Sequence, residues 1–271
     1  NDVYFNGSTF NDTVTIIRNN TTNITSNGNN VFNGITSITN SGTGYFYMTN
    51  SSAKSDIFNA SSTFTTTNTG ALYVGYNGSI TFNGNPTFNN PSGTGNIQIG
   101  RVSTVELSSG AVMSCGTFTA ASLNLYNINQ TGSAAQTLSP GNSGRINIYG
   151  STISGALTIN AGIITAQTST FASAVTYNLG GTILNSWSNG GNTYNGTLTV
   201  NNSSSGYIGF ASGTGDTYNG DVYANNTSAT GGRIIFGNNS TSQFNGNIYV
   251  SQSGTTTASG IALGWEGTFP I

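Results

Sequence analysis

The side chains able to do acid–base or metal chemistry are few. The acids are Asp2, Asp12, Asp56, Glu106, Asp216, Asp221 and Glu266, spread over 271 residues with five bases and no histidine. A glycoside hydrolase needs two carboxylates flanking one bond. The closest pair, Asp216 and Asp221, is split by the turn pair Asn219-Gly220, and no cation neighbours either acid. Without histidine, imidazole catalysis and the usual zinc sites are excluded. Cys115 is the single cysteine, so neither an internal disulfide nor a thiolate metal site can form. The Gly-Gly-x-Gly-x-Asp signature of calcium-binding rolls is absent. The expectation is a chain with no catalytic residues, no metal site and no cofactor.

Aromatic and amide side chains remain as recognition groups. Tyr45, Tyr47, Tyr73, Tyr207, Tyr223 and Tyr249 fall in the outward phase of alternating stretches. Exposed rings in a row can stack on sugars or touch another fibre; tyrosine also simply favours strands and covers its neighbours. These six are the candidate ligand contacts. The recurrent Asn-Gly pairs are read first as hydrogen-bonded ladders of stacked amides, as in cross-β assemblies, and second as a ligand surface.

The elements that carry these residues repeat. Phe10, Phe32, Phe58 and Phe82 are spaced by 22, 26 and 24 residues, and Tyr194, Tyr218 and Phe244 by 24 and 26. Four and six residues after the aromatic come apolar pairs: Val14 and Ile16, Leu198 and Val200, Val222 and Ala224, Ile248 and Val250. The match is looser at Ser62 and Phe64. A glycine then opens a second stretch: Gly44 before Phe46 and Met48, Gly70 before Leu72 and Val74, Gly206 before Ile208 and Phe210. Period-2 alternation bounded by Asn, Gly and Ser is the mark of half-buried strands. Asn-Gly, Ser-Gly and Asn-Asn steps mark the corners, where Gly and Asn tolerate left-handed backbone.

Residues 1–100 hold regular repeats, 101–190 degenerate ones with stretched spacing, and 191–271 regular ones with an atypical end from Gly264. In the middle third Gly144 precedes Ile146 and Ile148, Gly155 precedes Leu157 and Ile159, and Gly181 precedes Ile183. One array over 1–271 is expected; a boundary or an inserted loop near Gln130 to Ser143 is the alternative. Pro86 falls inside a strand slot and should shorten or break that strand. No stretch reads as a helix. The pattern predicts an all-β chain, a parallel β-helix (β-solenoid) of 10–11 coils of 22–28 residues, right-handed, and roughly 50 Å long at about 4.8 Å per coil.

Only 4% of residues are charged and the net charge is −2. That excludes nucleic acid, which needs clustered cations, and a polybasic membrane surface. No apolar run reaches membrane-helix length. Near-absence of cysteine suits an exported protein. The chain opens at Asn1 already inside the repeat, as expected of an excised piece of a longer polypeptide whose first partners are its own flanking repeats.

The stretches T-F-N-G-N-P-T-F-N-N, S-G-T-G-Y-F-Y-M-T-N and N-T-Y-N-G-T-L-T-V-N-N-S-S-S-G-Y-I-G-F resemble the strand repeats of very large surface proteins of Bacteroidota exported by the type IX secretion system, among them gliding-motility adhesins. The likeness covers residues 1–100 and 191–264. N-T-Y-N-G-T-L-T-V is also similar to autotransporter passenger repeats. The first resemblance implies an extracellular, cell-surface fibre moved or anchored by envelope machinery and touching a substratum or polysaccharide. Asp12-Thr13-Val14 matches the short O-glycosylation pattern of that phylum. The alternatives to a structural stalk or adhesive segment are a carbohydrate-binding β-helix module and, third, a polysaccharide-degrading enzyme.

Overall fold

In a computed structural model the chain is described over residues 4–181, 185–254 and 260–265. Ile183, the acids Asp2 and Glu266, and the segment after Trp265 lie outside the described residues.

The strands are short and parallel, and each pairs with its counterpart one coil away. Three faces wind about one apolar interior. The first face is an 11-stranded sheet running from Thr9–Phe10 to Gln243–Phe244. It carries the repeat aromatic on its inner side, with Phe10 beside Phe32, Phe32 beside Phe58 and Tyr194 beside Tyr218. The second face holds the stretch that follows the Asn-Gly pair, as in Thr36–Asn40 and Leu198–Asn202. The third holds the stretch that follows the glycine, as in Leu72–Val74 and Tyr207–Gly209. The result is a β-solenoid of about ten turns.

The inward phase is the one the alternation specifies. Thr36, Ile38, Ser62, Phe64, Leu198 and Val200 are buried on the second face, and Phe46, Met48, Leu72, Val74, Ile208 and Phe210 on the third. Val250, in a terminal coil, is 53% exposed because fewer side chains cover it there. Rings stack coil on coil: Phe32 and Phe58 lie 4.7 Å apart at 2°, Phe210 and Phe236 5.0 Å apart at 7°.

Three expectations need correction. The middle third does not stretch. Thr152 pairs with Thr170, and the ladder contact from Ser151 to Ser169 spans 18 residues, below the expected 22. The corner between the second and third faces is lost there. Leu157–Gln167 runs as one strand across both, and Gln136–Tyr149, where an inserted loop was the alternative, is also strand. Second, Pro86–Asn90 is a full five-residue strand. Pro86 occupies its first position, a place proline tolerates; it forgoes the N–H that Thr36 and Ser62 give the next coil at the same position, while the Asn85 carbonyl still accepts from Ser62. Third, the corner glycines divide: Gly7, Gly28 and Gly190 are in the left-handed region, whereas Gly34, Gly84, Gly196, Gly220 and Gly246 are not. A Cβ on Gly34 would sit 2.3 Å from the Asp12 carbonyl carbon, and one on Gly84 2.2 Å from that of Ala60. These glycines serve close approach of successive corners. Gly264 and Trp265, read as part of an atypical end, lie in Gly260–Trp265, which pairs with Arg233–Asn238 on the third face.

Candidate functional site

The asparagine that follows the first-face aromatic is tied to its counterpart one coil away. Asn33 donates to Asn11 at 2.8 Å, Asn59 to Asn33 at 2.7 Å, and Asn83 to Asn59 at 2.7 Å. Asn219 donates to Asn195 at 2.8 Å and Asn245 to Asn219 at 2.7 Å. A second ladder climbs the outer side of the second face, Asn178 to Asn160 at 2.6 Å and Asn201 to Asn178 at 2.7 Å. The amides are used coil to coil, which is the ladder reading of the corners.

Interior polar groups do the same work out of water. Two residues before the last inward residue of each first-face strand (an aromatic, or Leu107, Gln130 and Ile153 in the middle coils) stands a column of Ser8, Asn30, Asp56, Ile80, Val105, Ile128, Ser151, Ser169, Asn192, Asp216 and Ser242. Its polar members accept backbone N–H groups from the coil before. Asp56 takes Asn30 N–H at 2.8 Å, Ser169 takes Ser151 at 3.2 Å, Asn192 takes Ser169 at 3.1 Å, and Asp216 takes Asn192 at 2.7 Å. At the end of the second face, buried Asn40, Asn90, Asn202 and Asn226 donate to the carbonyls of Gly44, Gly95, Gly206 and Gly232. These bonds fix the corners from inside, since a buried polar group left unpaired is costly.

Asp216 is fully buried and its carboxyl is pushed up to about 6. Burial is the largest cause, opposed by hydrogen bonds from the Asn192 N–H, the Asn192 amide and the Tyr218 hydroxyl. Asp56 is raised for the same reason, opposed by Thr49 and Asn30. Asp221 instead lies at the corner and accepts from Asn247 N–H at 2.9 Å. Asp216 and Asp221 thus point to opposite sides of the wall and do not converge on a common substrate. Cys115 is largely buried and its thiol is pushed up to about 12 by burial, which removes the reactive thiolate. Among the described residues no group of His, Cys, Asp and Glu could hold a metal ion, and no helix is long and apolar enough to cross a membrane.

The six candidate tyrosines all point outward but form three groups. Tyr45, Tyr47 and Tyr73 share the third face near the N-terminal end. Tyr207 lies on the same face far along the rod, with the Arg233 guanidinium 5.4 Å from its ring centre. Tyr223 and Tyr249 are on the second face, stacked at 4.6 Å and 12°. The first group is joined by residues that sequence reasoning missed. Tyr76 meets Tyr47 and Tyr73 edge to face at 4.8 and 5.1 Å, and Arg101 lies over Tyr76 at 4.5 Å. Tyr126 and Tyr149 stack at 4.6 Å further along the face. Tyr76 and Arg101 sit in corners, outside the strand alternation that singled out the others. Beside them a shallow polar groove is lined by Asn50, Ser51, Lys54 and Asn77.

Ring orientation decides what this patch can do. Tyr47 and Tyr73 stack 4.8 Å apart at 6°, and Tyr45 meets both nearly at right angles. The faces that Tyr47 and Tyr73 turn to each other are occupied by each other. What they offer outward is edges and hydroxyls, not an open platform for a sugar ring. No family model, no curated protein and no solved structure matches the chain at a significant level.

Proposed function

We propose that this β-solenoid is a structural stalk or adhesive segment of a large secreted cell-surface fibre, acting in attachment or gliding. The observation that carries the reading is the disposition of the polar groups. Amides, buried acids and tyrosine rings are largely paired with the same position one coil away. A wall whose polar groups bind one another transmits load along its axis and offers little chemistry at its surface. The repeat resemblance adds the extracellular location, export and handling by envelope machinery, and flanking repeats as partners. The function is then mechanical rather than catalytic.

The test is the mass and location of the native polypeptide carrying this sequence. The expected result is a surface-exposed, protease-sensitive species several times the 27.8 kDa of the chain. A native mass near 27.8 kDa, or an interior location, overturns it.

A second reading, a carbohydrate-binding module, is favoured by one observation, the polar groove with Lys54 beside the Tyr76–Arg101 pair. It requires saturable glycan binding that is lost when Tyr45, Tyr47 and Tyr73 are changed together to Ala. Binding that survives the triple change removes this reading.

A further inference from the structure

The pair Asn-Gly occurs nine times, and the fold divides the nine between two corners. Five stand between the first and second faces, where the asparagine belongs to the coil-to-coil ladder. Four stand between the third and first faces, at Asn6, Asn27, Asn77 and Asn189. The same dipeptide therefore meets two surroundings. Asn33 donates to Asn11 and accepts from Asn59, and Asn219 donates to Asn195 and accepts from Asn245. Asn83 is likewise held at both ends, by Asn59 and the Ser108 hydroxyl. At the other corner Asn77 donates to Asn50 at 2.7 Å, and the Gly78 N–H is given to the Thr49 carbonyl at 2.8 Å. Asn6 accepts the Asn27 N–H, and the Gly7 N–H is given to the Gly28 carbonyl at 3.0 Å. Asn27 and Asn189 are different. Both are exposed, and neither side-chain amide makes a hydrogen bond among the described residues.

An asparagine followed by glycine can react with its own backbone, because glycine has no side chain to shield its nitrogen. The glycine nitrogen gives up its proton and attacks the asparagine Cγ. A nitrogen–carbon bond forms, the bond from Cγ to Nδ2 breaks, and ammonia leaves. Water then opens the five-membered imide at one carbonyl or the other. The product is aspartate, or isoaspartate with its side-chain methylene now in the main chain. One water is consumed, one ammonia is released, and no electrons change hands. Ring closure swings Cγ onto the next nitrogen, so both amide atoms must leave their partners. Backbone pairing is common to both corners, as at Asn33 with Phe10 and at Gly190 with Gln167. The hold on the side chain is what differs.

We propose that Asn27 and Asn189 are modification sites, which the folded rod converts to aspartate and isoaspartate without an enzyme, while the ladder shields the same dipeptide at the other corner. The two conversions take the net charge from −2 to −4. They also fall at junctions between coils, since Gly28 pairs with Asn6 and Gly190 with both Gln167 and Thr214. A methylene inserted there lengthens the corner on one coil only and breaks its register with the neighbour. The proposal does not rest on the stalk reading; it holds for a free protein and a fibre alike.

The test uses the whole 271-residue chain. It is held at pH 8, folded in buffer and, in parallel, unfolded in denaturant. Samples are digested with pepsin in acid, where the ring does not close, and conversion of amide to acid is followed site by site by mass spectrometry. Methylation by an isoaspartate-specific methyltransferase identifies the isoaspartate. In the folded chain, acid should accumulate at Asn27 and Asn189 at least tenfold faster than at Asn33 and Asn219, where two hydrogen bonds must break first. In denaturant the four rates should converge. Asn59→Ala removes one bond from Asn33 and one from Asn83, and should speed both in the folded chain while Asn27 is unchanged. Equal rates at all four sites in the folded chain overturn the proposal. So does an unmodified Asn27 and Asn189 at a time when the unfolded chain has converted, and so do unchanged rates at Asn33 and Asn83 in folded N59A.

Discussion

Replacing Asp216 with Asn should raise stability at neutral and alkaline pH and leave it unchanged in acid. The carboxyl moves from 3.8 to about 6 on folding, chiefly because burial disfavours its charged form. A group raised in this way contributes fully below the unfolded value and loses that contribution as pH rises through the folded one. At 1.36 kcal/mol per tenfold in proton affinity the loss approaches roughly 3 kcal/mol by neutral pH. Asparagine keeps the oxygen that accepts the Asn192 N–H and amide at 2.7 and 3.0 Å, and its NH2 can donate to the Tyr218 hydroxyl. Asparagine already stands at this position in two coils, at Asn30 and Asn192. Thermal melts followed by far-ultraviolet circular dichroism at pH 4 to 8 measure the effect. With about 2–4 °C per kcal/mol at this chain length, D216N should melt about 5 °C or more above the parent at pH 8 and level with it at pH 4. Asp56 titrates in both proteins and cancels in the difference. A parent–variant gap that stays constant with pH, or a variant less stable at pH 8, refutes the reasoning.

Three other substitutions probe the interior and the ladders. Phe58 is fully buried between Phe32 and Phe82, so Phe58→Ala should cost about 3–5 kcal/mol in chemical denaturation; a cost under 1 kcal/mol would show that the stack is not a packing element. Asn59→Ala removes one ladder donor and one acceptor at exposed positions and should cost about 1 kcal/mol, read as a small fall in denaturation midpoint. The buried hydroxyls of Tyr177 and Tyr194 make no hydrogen bond of normal geometry among the described residues, so the double change Y177F/Y194F should be neutral or stabilising. A loss above 1 kcal/mol in that double variant would reveal a partner for at least one of them.

Particular residues show how much was legible in the sequence. Leu198, Val200, Ile208 and Phe210 declared both the strand and its inner side, because period-2 alternation has only one solution when one side is buried. The corner pairs declared the coil length through Asn33, Asn59 and Asn83, each one coil from the next. What escaped lies where alternation says nothing. Tyr76 and Arg101 sit in corners, and only the folded chain brings them to Tyr47. The inward direction of Asp56 and Asp216 contradicts the usual exposure of acids; their place two residues before an aromatic, shared with Asn30 and Asn192, was the signal available. The 18-residue coil escaped because the glycine that opens its third-face stretch, Gly162, follows the second-face stretch with no polar corner between them. Strand continues from Asn160 through Ala161 and Gly162 to Ile163.

That short coil bears on how such a chain changes over generations. Each coil needs from its neighbour only a matching set of positions, at whatever sequence distance they arrive. A whole coil added or removed leaves every remaining junction of the same kind, so rod length can vary by duplication without new surfaces being devised. The step from Thr152 to Thr170 shows that even a corner can be dropped while the pairing on either side is kept. Mutation can therefore lengthen, shorten or trim the fold one unit at a time, with each intermediate still foldable.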